Sequence, residues 1–188
     1  KKKINQNETK INTNHKRDFR KSCIKRLKYV TLFSKYSKNK RVIKKLKSII
    51  RISGAKNILL YIPLEMEVDI TLLITELRKE KKIVYVPFME DDSFKIVKYR
   101  LPLHKKKFNI KEPTNSFLKP NKIDLAVVPI VGIDVLNKRI GFGKGMYDRF
   151  FYRLKYKPKI VFIQLELCKS KEILSDNYDI EADYIITG

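Results

Sequence analysis

A chain of 188 residues with 43% hydrophobic residues, 7 Pro and 6 Gly is long enough for one domain with a real core, and its composition excludes a largely disordered or collagen-like protein. Its 43 Lys and Arg against 20 Asp and Glu leave a net charge of +23, which favours an anionic partner: nucleic acid, a membrane surface or a phosphorylated ligand. Most of the basic residues are Lys, and Lys, Ile and Asn all have A/T-rich codons, so base composition is a competing source of the charge.

The first residues, KKKINQNETKINTN, are polar and aperiodic and read as a flexible lead-in over 1–14, ahead of a single folded unit over 15–188. HKRDFRKSCIKRLKYVTLFSKY (15–36) has the spacing of a basic helix, with Phe19, Cys23, Leu27 and Val30 on one side. KNKRVIKKLKSIIRIS is a second helix, with Val42, Leu46 and Ile49 or Ile50 inward and Gly54 as its stop. AKNILLYIPL (55–64) reads as a strand, EMEVD as a loop, and ITLLITELRKE as a helix with Asp69 as its cap. KKIVYVPFM and SFKIVKYR are the next strands, by alternation and β-branched content. Residues 101–122 read as loop. Then come a strand in IDLAVVPIVGID (123–134), the glycine loop RIGFGKG, a helix over 145–156, the strand PKIVFIQLEL, a short helix or loop, and the strand ADYIIT. Strands alternating with helices imply crossover connections and a mostly parallel sheet covered on both faces. The EMEVD, EP and glycine loops would then meet at the carboxyl ends of the strands, where such sheets seat their ligands.

Cys23 and Cys168 lie far apart and outside any CxxC pattern, so they are expected to stay unpaired in a reducing cytosol. No apolar leader precedes residue 23, and no run reaches the roughly 18 apolar residues of a membrane span. A soluble, cytoplasmic chain is the expectation.

The glycine loop carries the strongest chemical signal. RIGFGKGMYDRFF (139–151) has neither the spacing of a dinucleotide fingerprint nor that of a Walker A loop. Gly141, Gly143 and Gly145 nevertheless let backbone N–H groups approach a phosphate, and Arg139 and Lys144 supply cations to neutralise it. Asp148, in the first turn of the next helix, is placed to hold Mg²⁺ on the same phosphates. Lys16 and Arg20, four apart, share a helix face and can grip one anion, or form an ordinary solvated face. Glu65, Glu67 and Asp69 crowd one loop, where carboxylates can recognise the N–H groups of a heterocycle or simply cap and solvate. Asp179 and Asp183 flank the last strand's entrance, and either can complete a metal site with Asp148. His15 and His104 are isolated and receive no catalytic role.

KRDFR, YIPLEMEVD, NIKEP, IDLAVVP and above all RIGFGKGMYDRF, in this order from about residue 16 to the end, resemble the 5-formyltetrahydrofolate cyclo-ligases, also called methenyltetrahydrofolate synthetases. The resemblance implies a three-layer α/β/α single domain with a mostly parallel sheet. It implies an enzyme that uses ATP and Mg²⁺ to convert 5-formyltetrahydrofolate to 5,10-methenyltetrahydrofolate: the formyl oxygen is phosphorylated, N10 attacks the activated carbon, and phosphate leaves. ATP would be held by Lys16, Arg20 and the loop Arg139, Ile140, Gly141, Phe142, Gly143, Lys144, Gly145, Met146 and Tyr147, with Arg139 and Lys144 as catalytic cations. Glu67, Met146 and Tyr147 would contact the folate, and Asp148 and Asp179 would bind Mg²⁺. A folate with or without a polyglutamate tail is the expected partner of a monomer, with no membrane and no specific nucleic acid.

Three positions depart from the family's pattern. Met146 stands where an aromatic is usual and lacks its π face and hydroxyl, Asn137 replaces a glycine, and Ile133 replaces a Phe. Two rivals follow. One is a basic nucleic-acid-binding protein, for which KYVTLFSKYSKNKR (28–41) is the only stretch that interleaves aromatics with cations. The other is a folate-binding relic without turnover, for which Met146 is the reason.

Overall fold

The structure, a computed structural model, describes residues 2–106 and 111–188, with side chains described from residue 13. Two helices lead, α1 (Lys2–Phe33) and α2 (Lys35–Ser53), so helix occupies the stretch read as a lead-in before residue 15. The elements that follow are β1 (Asn57–Leu59), α3 (Thr71–Lys79), β2 (Ile83–Met89), β3 (Phe94–Lys98), β4 (His104–Lys105), β5 (Lys111–Glu112) and β6 (Leu125–Pro129). After them come β7 (Gly132–Ile133), β8 (Arg139–Ile140), α4 (Met146–Arg153), β9 (Lys159–Gln164) and β10 (Tyr184–Thr187).

Six strands form the central sheet in the order β10-β9-β6-β1-β2-β3. All pairings are parallel except β2 with β3, which a tight hairpin makes antiparallel. The period of two decides what each face meets. Along β6, Leu125 and Val127 join the cluster formed with Leu27 and Val30 of α1, Val42, Leu46 and Ile50 of α2 and Leu73, Ile74 and Leu77 of α3. Ala126 and Val128 join the opposite cluster with Phe94 and Phe150, the latter from α4. Helices therefore cover both faces, a three-layer α/β/α arrangement, and each fully buried Leu, Ile or Phe contributes about 1.5–3 kcal/mol.

The helix faces are those expected from spacing, and Gly54 caps α2 at φ 65°. Asp69 acts as a cap from one position further out, its Oδ1 accepting from the Thr71 N–H at 3.0 Å, while Ile70 occupies the N-cap position itself. Several expectations need correction. The loop of 101–122 contains the β4–β5 ladder, although Asn109 and Ile110 of the NIKEP motif lie outside the described residues. The strand expected through 134 ends at Pro129 and resumes as β7, which pairs with the start of the glycine loop as β8. The helix expected to 156 ends at Arg153, while the short helix or loop expected before the last strand is loop.

The cysteines are the plainest correction. Cys23 and Cys168, 145 positions apart in the chain, form a disulfide. Sequence separation hid this because α1 packs its Phe19–Cys23 face directly on the turn after β9, in a small cluster with Val131 and Phe142. The cysteine argument for a reducing compartment therefore falls.

Candidate active site

The strand carboxyl ends do converge. β1 leads into Tyr61, Leu64 and Glu67, β2 ends at Pro87 and Met89, and β6 ends at Pro129; all six line one cavity of about 290 Å³. Arg139, Phe142, Lys144, Gly145, Met146 and Tyr147 of the glycine loop close it. The EP loop reaches the same edge, since the buried Glu112 accepts a hydrogen bond from the Met89 N–H at 2.9 Å. Most of the lining is apolar, with the charged groups gathered along the side of the loop.

Arg139 is the hinge of that side. The β7–β8 hairpin buries its guanidinium beneath the end of β6, where Nε and Nη2 donate to the Pro129 carbonyl at 3.3 and 3.2 Å. Its Nη1 donates to Asp148 Oδ2 at 3.4 Å, and the guanidinium lies 4.9 Å from the Tyr147 ring centroid. Gly141 leaves room for this packing, because a Cβ there would run into the Arg139 guanidinium and push it aside. Gly143 is required by its backbone, at φ 99°, and it faces the Arg20 guanidinium. Asn137 takes φ 59° in the preceding turn, the left-handed conformation for which asparagine substitutes for glycine.

α1 delivers both its predicted cations here. Arg20 Nε donates to the Gly141 carbonyl at 2.7 Å. Burial, together with the nearby Arg139, lowers the pKa of Arg20 despite the opposing charge of Asp179. Lys16 Nζ makes a close ion pair with Asp179 and a second contact with Asp176 at 3.2 Å. Burial opposes its charge, but the hydrogen bonds to Asp179 and Asp176 outweigh it and raise its pKa.

The two predicted metal carboxylates, Asp148 and Asp179, are both buried and sit on adjoining backbone. Asp148 Oδ1 accepts from the Ile180 N–H at 3.3 Å, next in chain to Asp179. Among the described residues no group of three or more His, Cys, Asp or Glu is placed to hold a metal, so the protein would supply two carboxylates and the remaining oxygens would come from phosphate and water. That donor set fits Mg²⁺. Asp183 is engaged elsewhere, its carboxylate accepting from the Ile160 N–H at 2.8 Å at the amino end of β9.

Glu67 points into the cavity with Oε2 accepting from the Leu64 N–H at 2.8 Å. Burial pushes its pKa up to about 7, with the Leu64 N–H, Arg139 and Lys35 opposing. Tyr147 is raised by burial and by the Glu67 charge, and Tyr61, whose hydroxyl donates to the Val68 carbonyl at 2.8 Å, is raised for the same two reasons. Met146 lines the cavity and packs against the cluster on its side of the sheet.

Sequence reasoning missed the braces. Arg149, one turn into α4, donates to the Lys144 carbonyl and, at 2.6 Å, to the Asp92 carbonyl, tying the glycine loop to the β2–β3 hairpin. Asp134 is fully buried and accepts from the N–H groups of Leu136, Lys138, Leu174 and Ser175, which fixes the turn before Asp176 and Asp179. Asp134 was legible only as the residue after Ile133, and nothing in its spacing signals four backbone partners.

An α/β domain with an apolar cleft and a buried lattice of charges at the strand carboxyl ends has the form of an enzyme acting on an anionic small molecule. The sequence pattern of the 5-formyltetrahydrofolate cyclo-ligase family matches residues 12–188. A 5-formyltetrahydrofolate cyclo-ligase of Haemophilus influenzae is 26% identical over 95% of this chain and 100% of its own. A solved 5,10-methenyltetrahydrofolate synthetase of Mycoplasma pneumoniae superposes with a TM-score of 0.72 at 27% identity, covering 91% of this chain and 97% of its own. That of Aquifex aeolicus superposes with a TM-score of 0.73 at 30% identity, covering 92% and 89%. The chain belongs to the 5-formyltetrahydrofolate cyclo-ligase family, and it is a ligase acting on folate.

Proposed function

We propose that this chain, as one catalytic domain over 15–188, couples ATP cleavage to the cyclisation of 5-formyltetrahydrofolate into 5,10-methenyltetrahydrofolate. The observation that carries the reading is the arrangement of buried Arg139, Asp148 and Asp179 with the half-buried Lys16, beside an apolar cleft that holds Glu67. Phosphoryl transfer needs positioning and charge neutralisation above all, and this side of the cleft offers both. Lys16, Arg20 and the backbone of residues 139–147 would hold the triphosphate, with Arg139 and Lys144 neutralising charge on the transferred group. Mg²⁺, held by Asp148 and Asp179, would supply further neutralisation of the phosphates.

Glu67 would accept N–H donors of the pterin, while Tyr147 and Met146 pack against it. The formyl oxygen would attack the γ-phosphorus and release ADP. N10 would then attack the activated carbon and lose its proton, and the carbon–oxygen bond would break to release phosphate. The largely apolar lining would limit the access of water to that activated carbon. A polyglutamate tail would meet a strongly basic surface, and the chain would work as a monomer in a cytoplasmic setting, where ATP is supplied. The nucleic-acid reading retains one observation, the exposure of Tyr29, Phe33 and Tyr36 beside lysines.

The test is to mix the purified chain with 5-formyltetrahydrofolate, ATP and Mg²⁺ and follow the near-ultraviolet absorbance of the methenyl product. A rise that requires both ATP and Mg²⁺ is expected. Folate binding without any rise would favour the relic, and neither binding nor a rise would reject the assignment of this cleft.

A further inference from the structure

We propose that Asp176 is a positioning residue for the phosphate-binding lysine: it holds Lys16 in place when Asp179 turns to a divalent cation. The proposal rests on the ATP and Mg²⁺ reading above. Its starting point is that each candidate metal carboxylate is already neutralised by a cation assigned to phosphate. Lys16 sits on Asp179, and Arg139 sits on Asp148. For both carboxylates to hold Mg²⁺ they would have to leave these pairs, and a largely desolvated cation left without a partner would resist this strongly.

Both cations have a second acceptor that the metal does not need. Arg139 keeps the Pro129 carbonyl, and Lys16 keeps Asp176 Oδ2 at 3.2 Å. Asp176 is fastened so that it stays behind. Its Oδ2 accepts from the Tyr178 hydroxyl at 3.1 Å, and its carbonyl accepts from Lys138 Nζ and from the Asp179 N–H, both at 3.2 Å. Its side chain is 40% exposed, against 15% for Lys16 and 6% for Asp179, so it places negative charge at the rim of the pair without closing it off. Lys16 can then release Asp179 with its ammonium still held on Asp176, on the face of α1 from which Arg20 binds the Gly141 carbonyl.

The sign of the effect separates this role from simpler ones. By charge alone, removing a carboxylate beside a polyphosphate site strengthens nucleotide binding. As a mere turn residue, Asp176 would affect stability and leave the metal dependence of binding untouched. As the second acceptor of Lys16, its loss leaves Asp179 and Lys16 locked together, so binding weakens only when metal accompanies the nucleotide.

The experiment is calorimetric titration of the whole chain with a non-hydrolysable ATP analogue, with and without Mg²⁺. D176N is expected to bind the Mg²⁺ complex about tenfold more weakly, the worth of one charge-assisted hydrogen bond, and the metal-free analogue nearly as the parent does. D176E should recover most of the loss, and Y178F, which removes only the hydroxyl that fastens Asp176, should show a smaller loss in the same direction. Equal or tighter binding of the Mg²⁺ complex by D176N overturns the role of Asp176, as does an equal loss with and without metal. Should D176N fail to fold, parent-like binding by Y178F overturns it. A parent chain that binds no nucleotide overturns the ATP reading itself, and the role of Asp176 with it.

Discussion

Glu67 shows how one residue's environment sets both a cost and a function. With a folded pKa of about 7, raised above the ordinary carboxylate value, the folded chain holds a proton that the unfolded chain has already lost. Its contribution to stability is therefore full below the ordinary carboxylate pKa and falls as pH rises through about 7. The ionised form is the stronger acceptor for pterin N–H groups, so under the proposed role folate should bind more tightly above pH 7 than below it. Glu67→Gln removes both effects. It should flatten the pH dependence of folate binding, weaken binding at pH 8 by about tenfold, and leave the variant more stable than the parent at pH 8, read by thermal unfolding. A variant that keeps the parent's pH profile would take Glu67 out of folate recognition.

At the scale of elements, α1 is the piece on which the anion side of the site depends. One face carries Lys16 and Arg20, and the next turn carries Phe19 and Cys23 into the small cluster with Phe142 of the glycine loop. The Cys23–Cys168 bridge closes a long loop between α1 and the turn after β9, and such a bridge contributes about 2–4 kcal/mol. Reduction should lower the denaturation midpoint correspondingly, and a midpoint unaffected by reductant would mean the thiols are not paired. The helices were legible because their apolar spacing is uninterrupted: Val42, Leu46 and Ile50 on α2 predict their own burial. The bridge was not, because pairing depends on which elements pack together and not on spacing along the chain. The two-residue strands β4, β5 and β8 were invisible for a related reason, since a period of two cannot be read from two residues, and β7 was read only as the tail of β6.

For the molecule as a whole, the parallel order of β10-β9-β6-β1-β2 brings chemistry from both ends of the chain to one edge. Spacing offered the glycine loop, with Arg139, Lys144 and Asp148, as an anion site and offered Lys16, Arg20, Glu67 and Asp179 only beside blander alternatives, among which the resemblance selected. Placement of those four was not readable from local pattern, because Lys16 meets Asp179 across 163 positions of sequence. Asp134 and Arg149, which fix the two halves of the anion side, were missed since their partners are backbone groups. The net charge of +23 is spread far beyond the site, so the buried lattice and not the overall charge is what supports the proposed phosphoryl transfer over generic polyanion binding.

The central claim is that the formyl oxygen leaves as part of phosphate, and isotope transfer measures it directly. 5-Formyltetrahydrofolate labelled with ¹⁸O in the formyl group is turned over with ATP and Mg²⁺, and the inorganic phosphate released is weighed by mass spectrometry. One ¹⁸O atom in each phosphate is the predicted result. Turnover with unlabelled phosphate would contradict the account.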